Sequence, residues 1–379
     1  MMTLSHLSVL AVKGLSKNNY SLLSESCLSS ASLASEKRES YFLTDPICRV
    51  SLKVSLLLIS LLYSFFAFAI TDENIPTINV RHYENQVGEA CARHIADLII
   101  ENGKNRKKTV LGLMSDNALK PVYKALRELI RKEQIDVSNV IIFSFDEYAG
   151  ISPENPLSHY YFMFVNLFEG LFWSPSNPLG FNPKNIYLPE GEVDSFASLS
   201  GKERIALTRK FNPKKKRRGI DLSPEEVAFI LQKRADRYDV IIKKLGPIQV
   251  QLLTLDHTGS MGFLDEGTPF TEGSNLVALS LKMRRAKATM MNSKYTLIPE
   301  YAITMGIDTL LQAESIFLFA TGKNKAPIIN EILEESVTPD IPASVLKLHP
   351  HVEFFLDRNA AKKLKNHYKI NSVPVTNPQ

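Results

Sequence analysis

The sequence predicts an α/β protein built on a mostly parallel sheet covered on both faces. Two observations predict it: short apolar runs alternate with helix-period segments from residue 77 to about 365, and polar loops follow the carboxyl ends of those runs. The chain has 379 residues, 44% of them hydrophobic and 22% charged, which is ordinary globular material and long enough for one large domain with additions. No internal repeat is visible.

Residues 1–53 are serine-rich with no amphipathic or alternating pattern, and read as a disordered leader. Segment 54–70, VSLLLISLLYSFFAFAI, is uncharged, follows Arg49 and Lys53, and ends in Ala67-Phe68-Ala69 before a polar stretch. That order is expected of a signal peptide cleaved after Ala69 or of a membrane anchor, with a buried core helix as the alternative. It implies export or membrane association; a misassigned start or segment would instead leave the protein cytoplasmic. Cys27 and Cys48 precede the cleavage point and only Cys91 follows it, so no disulfide framework and no zinc site are expected.

Residues 71–379 hold the working domain. Thr77–Val80 reads as an edge strand, and Val87, Cys91, Ile95, Leu98 and Ile99 mark a helix that Gly103 is expected to end. Thr109–Leu113 is a strand, Ser115-Asp116-Asn117 a turn, and Val122, Leu126, Leu129 and Ile130 one face of the next helix. A helix start after such a turn can receive an anion, although Asp116 would repel a phosphate. Val140–Phe143, four β-branched or aromatic residues in a row, suits a strand covered on both faces. Asp146 and Glu147 follow in what reads as a polar loop. In open α/β sheets ligands bind beyond strand carboxyl ends, so the two acids either line a site or merely cap the loop.

A helix from about Ser158 to Phe168 carries aromatics that read as core, because no basic stripe accompanies them. Residues 173–188 read as loop. The formal net charge of +5 is local: Lys202–Arg218 holds nine Lys or Arg and one Glu, a local +8 that leaves the rest at −3. With no interleaved aromatics beyond Phe211, this basic insertion at about 190–225 reads as a solvated excursion, and no nucleic-acid partner is expected. Ser223-Pro224-Glu225-Glu226 caps a helix carrying Val227, Leu231, Ala235, Tyr238 and Ile242, which stops at Gly246-Pro247. Ile248–Leu253 is a strand, and Thr254–Gly267 is a second polar loop with Asp256, His257, Asp265 and Glu266. His257 suits acid–base work near neutrality, or is an exposed loop histidine with no role. A helix at about 306–312, a strand at 315–320, the turn 321–325, a helix to about Glu335 and a strand near 352–356 complete the alternation.

FSFDEYAGISPENPLSHYYFM at 143–163, Lys184-Asn185-Ile186, Ala235–Gln251, PEYAITMGIDTLLQAESIFLFATGKNKA at 299–326 and Leu346-Lys347-Leu348-His349-Pro350 together resemble the glucosamine-6-phosphate deaminase/isomerase family. The resemblance runs in order over about residues 77–360 and implies a Rossmann-like three-layer sandwich. It also implies a reaction on an aldose 6-phosphate: ring opening, proton removal from C2, delivery to C1, and loss of ammonia where C2 bears an amine. Asp146 matches the family's C2 base and Lys325 its phosphate-contacting lysine.

The chain departs from the family at two loops. Ser115-Asp116-Asn117-Ala118-Leu119 stands where the family has Thr-Gly-Ser/Gly-Thr-Pro around phosphate. In the ring-opening loop Thr258 replaces an acid, Ser260 the catalytic histidine, and Asp265 a glutamate. The family's phosphate arginine falls near Thr289, with Arg284 and Arg285 close by. The candidate set is Asp146, His257, Ser260 and Asp265 for catalysis, with Ser115, Asn117, Glu147, Gly259 and Lys325 for substrate contact. The expected partner is a sugar phosphate, with no cofactor and no metal. The family spans monomers to hexamers, so no oligomeric state is implied. The reading is a deaminase acting on a hexosamine 6-phosphate; the alternatives are an inactive descendant kept as a binding or interaction module, and a sugar-phosphate lactonase of the same superfamily.

Overall fold

Parallel pairing, which buries a strand on both faces, organises the molecule. The computed structural model describes residues 76–193, 200, 202–203, 206, 210, 222–365, 368 and 370–372. The leader, segment 54–70 and most of the basic insertion lie outside the described residues. Among those described, no helix is long and apolar enough to cross a membrane.

The strands are β1 (Thr77–Arg81), β2 (Thr109–Leu113), β3 (Val140–Ser144), β4 (Asp146–Tyr148), β5 (Ile186–Tyr187), β6 (Val250–Leu253), β7 (Asn275–Ala278), β8 (Tyr301–Thr304), β9 (Ser315–Ala320), β10 (Val352–Asp357) and β11 (Ile370–Ser372). The helices are α1 (Glu84–Lys104), α2 (Lys120–Glu133), α3 (His159–Met163), α4 (Pro224–Leu245), α5 (Leu281–Met290), α6 (Ile307–Leu310) and α7 (Ala326–Glu334). Eight strands form one sheet in the order β11-β1-β10-β9-β6-β2-β3-β5, every neighbouring pair parallel. All residues of β2, β3 and β6 are buried, so both faces of the sheet centre are covered, as the expected α/β class requires.

Most predicted elements stand where the periodicity places them, but β1 is not the expected edge, since β11 pairs outside it, and β5 lies within the stretch 173–188 read as loop. α4 opens on a capping box, Ser223 Oγ accepting from Glu226 N while the Glu226 carboxylate accepts from Ser223 N. α1 runs through Gly103 instead of ending there: the left-handed residue is Arg106, φ 54°, beyond the cap at Asn105. Ser158 caps α3 where the helix was expected to begin, and the helix continues as a π turn over Phe164–Phe168.

The larger correction concerns the acidic segment. Asp146–Tyr148 is a strand, paired antiparallel with β8, which pairs antiparallel with β7. This second sheet, β4-β8-β7, begins where the first ends. Phe145 joins them: its N–H donates to Leu113 O at the end of β2, and its carbonyl accepts from Met305 N just past β8, both at 2.8 Å. The chain therefore leaves β3 held from two directions and delivers Asp146 to the seam between the sheets.

Candidate active site

Sequence places four polar segments at strand carboxyl ends, and the fold brings them together. Beyond β2 lie Ser115-Asp116-Asn117; beyond β3, Asp146; beyond β6, the loop 254–267; beyond β9, the turn ending at Lys325. A cavity of about 350 Å³ opens among them, walled by Asp256, His257, Ser260, Asp265 and Lys325 with Lys282 and Lys287 from α5. A second cavity of about 360 Å³ adjoins it, lined by Ser115, Asn117, Lys120, Tyr148 and His159; Asp116, Lys287 and Met290 wall both.

The loop after β6 folds around its own acids. Asp256 Oδ1 accepts from Thr258 N at 2.8 Å, Thr258 Oγ1 at 2.7 Å and Ser260 N at 3.1 Å. Burial pushes the Asp256 carboxyl up, but these bonds outweigh it and hold the group below the ordinary carboxylate range. Thr258 Oγ1 and Ser260 Oγ lie 3.0 Å apart, and Ser260 Oγ donates to Asp265 Oδ1 at 2.8 Å. Thr258, Ser260 and Asp265 thus form a continuous hydrogen-bonded chain along the cavity wall. His257 stands exposed on the same wall. Gly259 is absent from the wall: it turns with φ +85°, and a Cβ there would lie 2.6 Å from Ile341 Cγ2.

Asp146 is fully buried and lines neither cavity directly. Its Oδ1 lies 2.6 Å from His159 Nδ1. Its Oδ2 has no hydrogen-bond partner among the described residues and rests against Gly262, where a Cβ would approach it to 2.4 Å. Gly262 belongs to the wall of the first cavity, so that oxygen abuts a wall residue. Glu147 points elsewhere. Its carboxylate accepts from Tyr148 N (2.8 Å), His159 N (3.0 Å), Ser158 Oγ (2.8 Å) and Tyr160 N (3.2 Å), which fastens the start of α3 to β4.

Lys325 donates to Leu255 O at 2.7 Å, and burial lowers its ammonium against the opposing pull of Asp256 and Asp116. Lys287 sits 3.8 Å from Asp116 and 5.5 Å over the Phe263 ring. Arg284 is directed away, bonding Ile298 O and Glu300 at 3.1 Å each, and Arg285 lies over Tyr295. The cavity's extra cations are therefore Lys282 and Lys287, which sequence reasoning missed. Their signal is the stripe Lys282, Met283, Ala286, Lys287, Met290 at helical spacing, all on the wall; its mixed polarity hides it from a search for apolar faces. His159 was missed because its contact with Asp146 is tertiary. Ser115 donates to His159 O at 3.1 Å, and exposed Asn117 to Met290 O at 3.4 Å. Among the described residues, no three His, Cys, Asp or Glu side chains converge to hold a metal ion.

The glucosamine-6-phosphate deaminase of Thermoanaerobacter pseudethanolicus is 30% identical to this chain over 273 residues, 72% of the chain and 90% of that protein. The chain belongs to the glucosamine-6-phosphate deaminase family. Glucosamine-6-phosphate deaminase 2 of Bacillus subtilis agrees, at 32% identity over 286 residues, 75% of this chain and 96% of its own. Among solved structures, a monomeric glucosamine-6-phosphate deaminase superposes with a TM-score of 0.60 at 26% identity, over 76% of this chain and all of its own. The 6-phosphogluconolactonase of Trypanosoma brucei shares the fold alone, with a TM-score of 0.53 at 17% identity over 76% of this chain and 99% of its own. No protein-family model matches the chain.

Proposed function

We propose that this family member binds a hexosamine 6-phosphate in the cavity beyond β2, β6 and β9 and converts it to a ketose 6-phosphate with release of ammonia. The observation that carries the reading is the unpartnered Oδ2 of buried Asp146, set against Gly262 in the cavity wall. A carboxylate oxygen with no competing donor is a competent base once a C–H is brought to it. In the open-chain sugar, Asp146 Oδ2 takes the C2 proton, the C–H electron pair becomes the C1–C2 double bond, and the C1 carbonyl π pair moves onto O1, which takes up a proton, giving an enolamine. The same oxygen returns the proton to C1, leaving a C2 iminium that water hydrolyses to the ketone and ammonia. Lys325, Lys282 and Lys287 supply the positive field a phosphate needs.

Ring opening moves a proton from the C1 hydroxyl to the ring oxygen, and Ser260 hydrogen-bonded to Asp265 is the group available on the wall. A second reading follows from that same chain: Thr258 and Ser260 are hydroxyls that do not titrate near neutrality, which suits a module that binds the sugar phosphate without turning it over. The test incubates the full-length protein with glucosamine 6-phosphate and follows ammonia and fructose 6-phosphate. Turnover that disappears in Asp146→Asn is expected. No turnover above that control, with saturable thermal stabilisation by the ligand, would establish the second reading.

A further inference from the structure

His159 has no task in the reaction just described, yet the fold fixes it beside the proposed base. Its Nδ1 lies 2.6 Å from Asp146 Oδ1. Its ring stacks on Phe263, centroids 5.5 Å apart and planes within 7°, and meets Tyr148 edge-on at 5.1 Å. Its backbone is tied too, N–H to Glu147 and carbonyl to Ser115 Oγ. No described residue hydrogen-bonds Nε2, and the residue lines the second cavity.

An ionised carboxylate removed from water is costly unless a cation or several donors compensate it. Asp146 is wholly buried, and its side-chain contact is this imidazole. We propose that Asp146 and His159 work as a pair, in which the imidazolium keeps the carboxylate charged and, by occupying Oδ1, leaves Oδ2 as the basic oxygen facing Gly262. The proposal rests on the deaminase reading and makes His159 a positioning residue. The charged and titratable groups facing the ring are Asp146, Glu147 and Tyr148 from β4 and Lys287 from α5. Burial pulls the imidazole down; Asp146, by charge and hydrogen bond, and Glu147 raise it; Lys287 opposes them; the balance is upward. Glu147 adds to the pairing a second time, since it anchors the backbone that carries the ring.

The experiment combines ammonia release with an NMR titration of the His159 imidazole on the full-length protein. His159→Phe keeps the ring against Phe263 and removes both nitrogens; it is expected to lower kcat about 10- to 100-fold with little change in KM, the usual cost of a misplaced base. His159→Asn, which retains a polar atom near the Nδ1 position, recovers much of that loss but shifts the pH profile of kcat. In the titration, His159 stays charged to a higher pH in the wild type than in Asp146→Asn. An active wild type with an equally active His159→Phe overturns the pairing, as does an imidazole that titrates identically with and without the Asp146 carboxylate. An inert wild type overturns the deaminase reading instead, and the titration still decides the pair.

Discussion

Gly262→Ala tests the geometry on which the proposed base depends. Gly262 has φ +60°, and an added Cβ would stand 2.4 Å from Asp146 Oδ2 and 3.1 Å from two Phe145 ring carbons. Real Cβ contacts essentially never fall below 3.0 Å, so Oδ2 or the loop must withdraw by about 0.6 Å, from 2.4 to 3.0 Å. Neither withdraws freely. Oδ1 is held by His159 at 2.6 Å, and Met261 on the loop is tied to Leu264 by two backbone bonds of 2.9 and 3.1 Å. The left-handed backbone alone costs a residue with a Cβ about 1–2 kcal/mol. A misplacement approaching 1 Å at a catalytic group costs about 100-fold in rate, so a loss of about 10- to 100-fold is expected. Urea unfolding measures the first effect and ammonia release from glucosamine 6-phosphate the second. A variant that unfolds at the wild-type urea concentration and keeps wild-type turnover would refute the placement of Oδ2 against the cavity wall.

Four further outcomes can be measured. Glu147→Ala, which strips acceptors from the N–H groups of Tyr148, His159 and Tyr160 and from the Ser158 hydroxyl, is expected to lower unfolding free energy by about 3 kcal/mol; a urea-measured loss below about 1 kcal/mol would contradict the fastening role. Lys325→Met is expected to weaken binding of glucosamine 6-phosphate about 10- to 100-fold by calorimetry, the loss of one charge-assisted bond to phosphate. Arg284→Met, which breaks a pair with Glu300 outside the cavity, should leave that binding unchanged. The fold raises the His159 imidazole above its ordinary value of about 6.5, so the folded state binds more protons than the unfolded chain in the window above that value. The pair's stabilisation is therefore complete below that value and lost as pH rises through the folded one, and the stability gap between wild type and Asp146→Asn should narrow upward across it; a constant gap in urea titrations from about pH 6 to 9 would contradict the pair.

The centre of the parallel sheet was legible because its strands bury both faces and so read as unbroken apolar runs, Val140–Phe143 and Ile316–Ala320 most clearly, whereas the half-buried β5 and exposed β11 at its edges were not. The second sheet was not. β7 has no fully buried residue, and β4 carries two acids, so neither offers an apolar run or a clean alternation. α5 escaped for a related reason: Ala288 is its only buried residue, since the helix turns Lys and Met toward a cavity in place of an apolar face toward the core. In the site, Asp146 was visible from its place after a strand and Lys325 from the family resemblance. Neither the partner of Asp146 nor the orientation of Glu147 was, because both depend on the chain reversing between β4 and α3.

That reversal explains how one short segment divides its acids between two duties. β4 alternates its side chains, so Asp146 and Glu147 point to opposite sides of a strand at the seam of two sheets. Glu147 meets the returning chain at the Ser158 hydroxyl and the N–H groups of His159 and Tyr160 and fixes it. The residue thereby placed opposite Asp146 is His159, whose ring also rests on Phe263 of the loop after β6. Phe263 follows Gly262 directly, so the loop that abuts Oδ2 without donating to it also braces the imidazole that occupies Oδ1. The orientation of Asp146 is thus set from both sides by one interlocked contact, and a change at Glu147, His159 or Gly262 reaches the same carboxylate through a different atom.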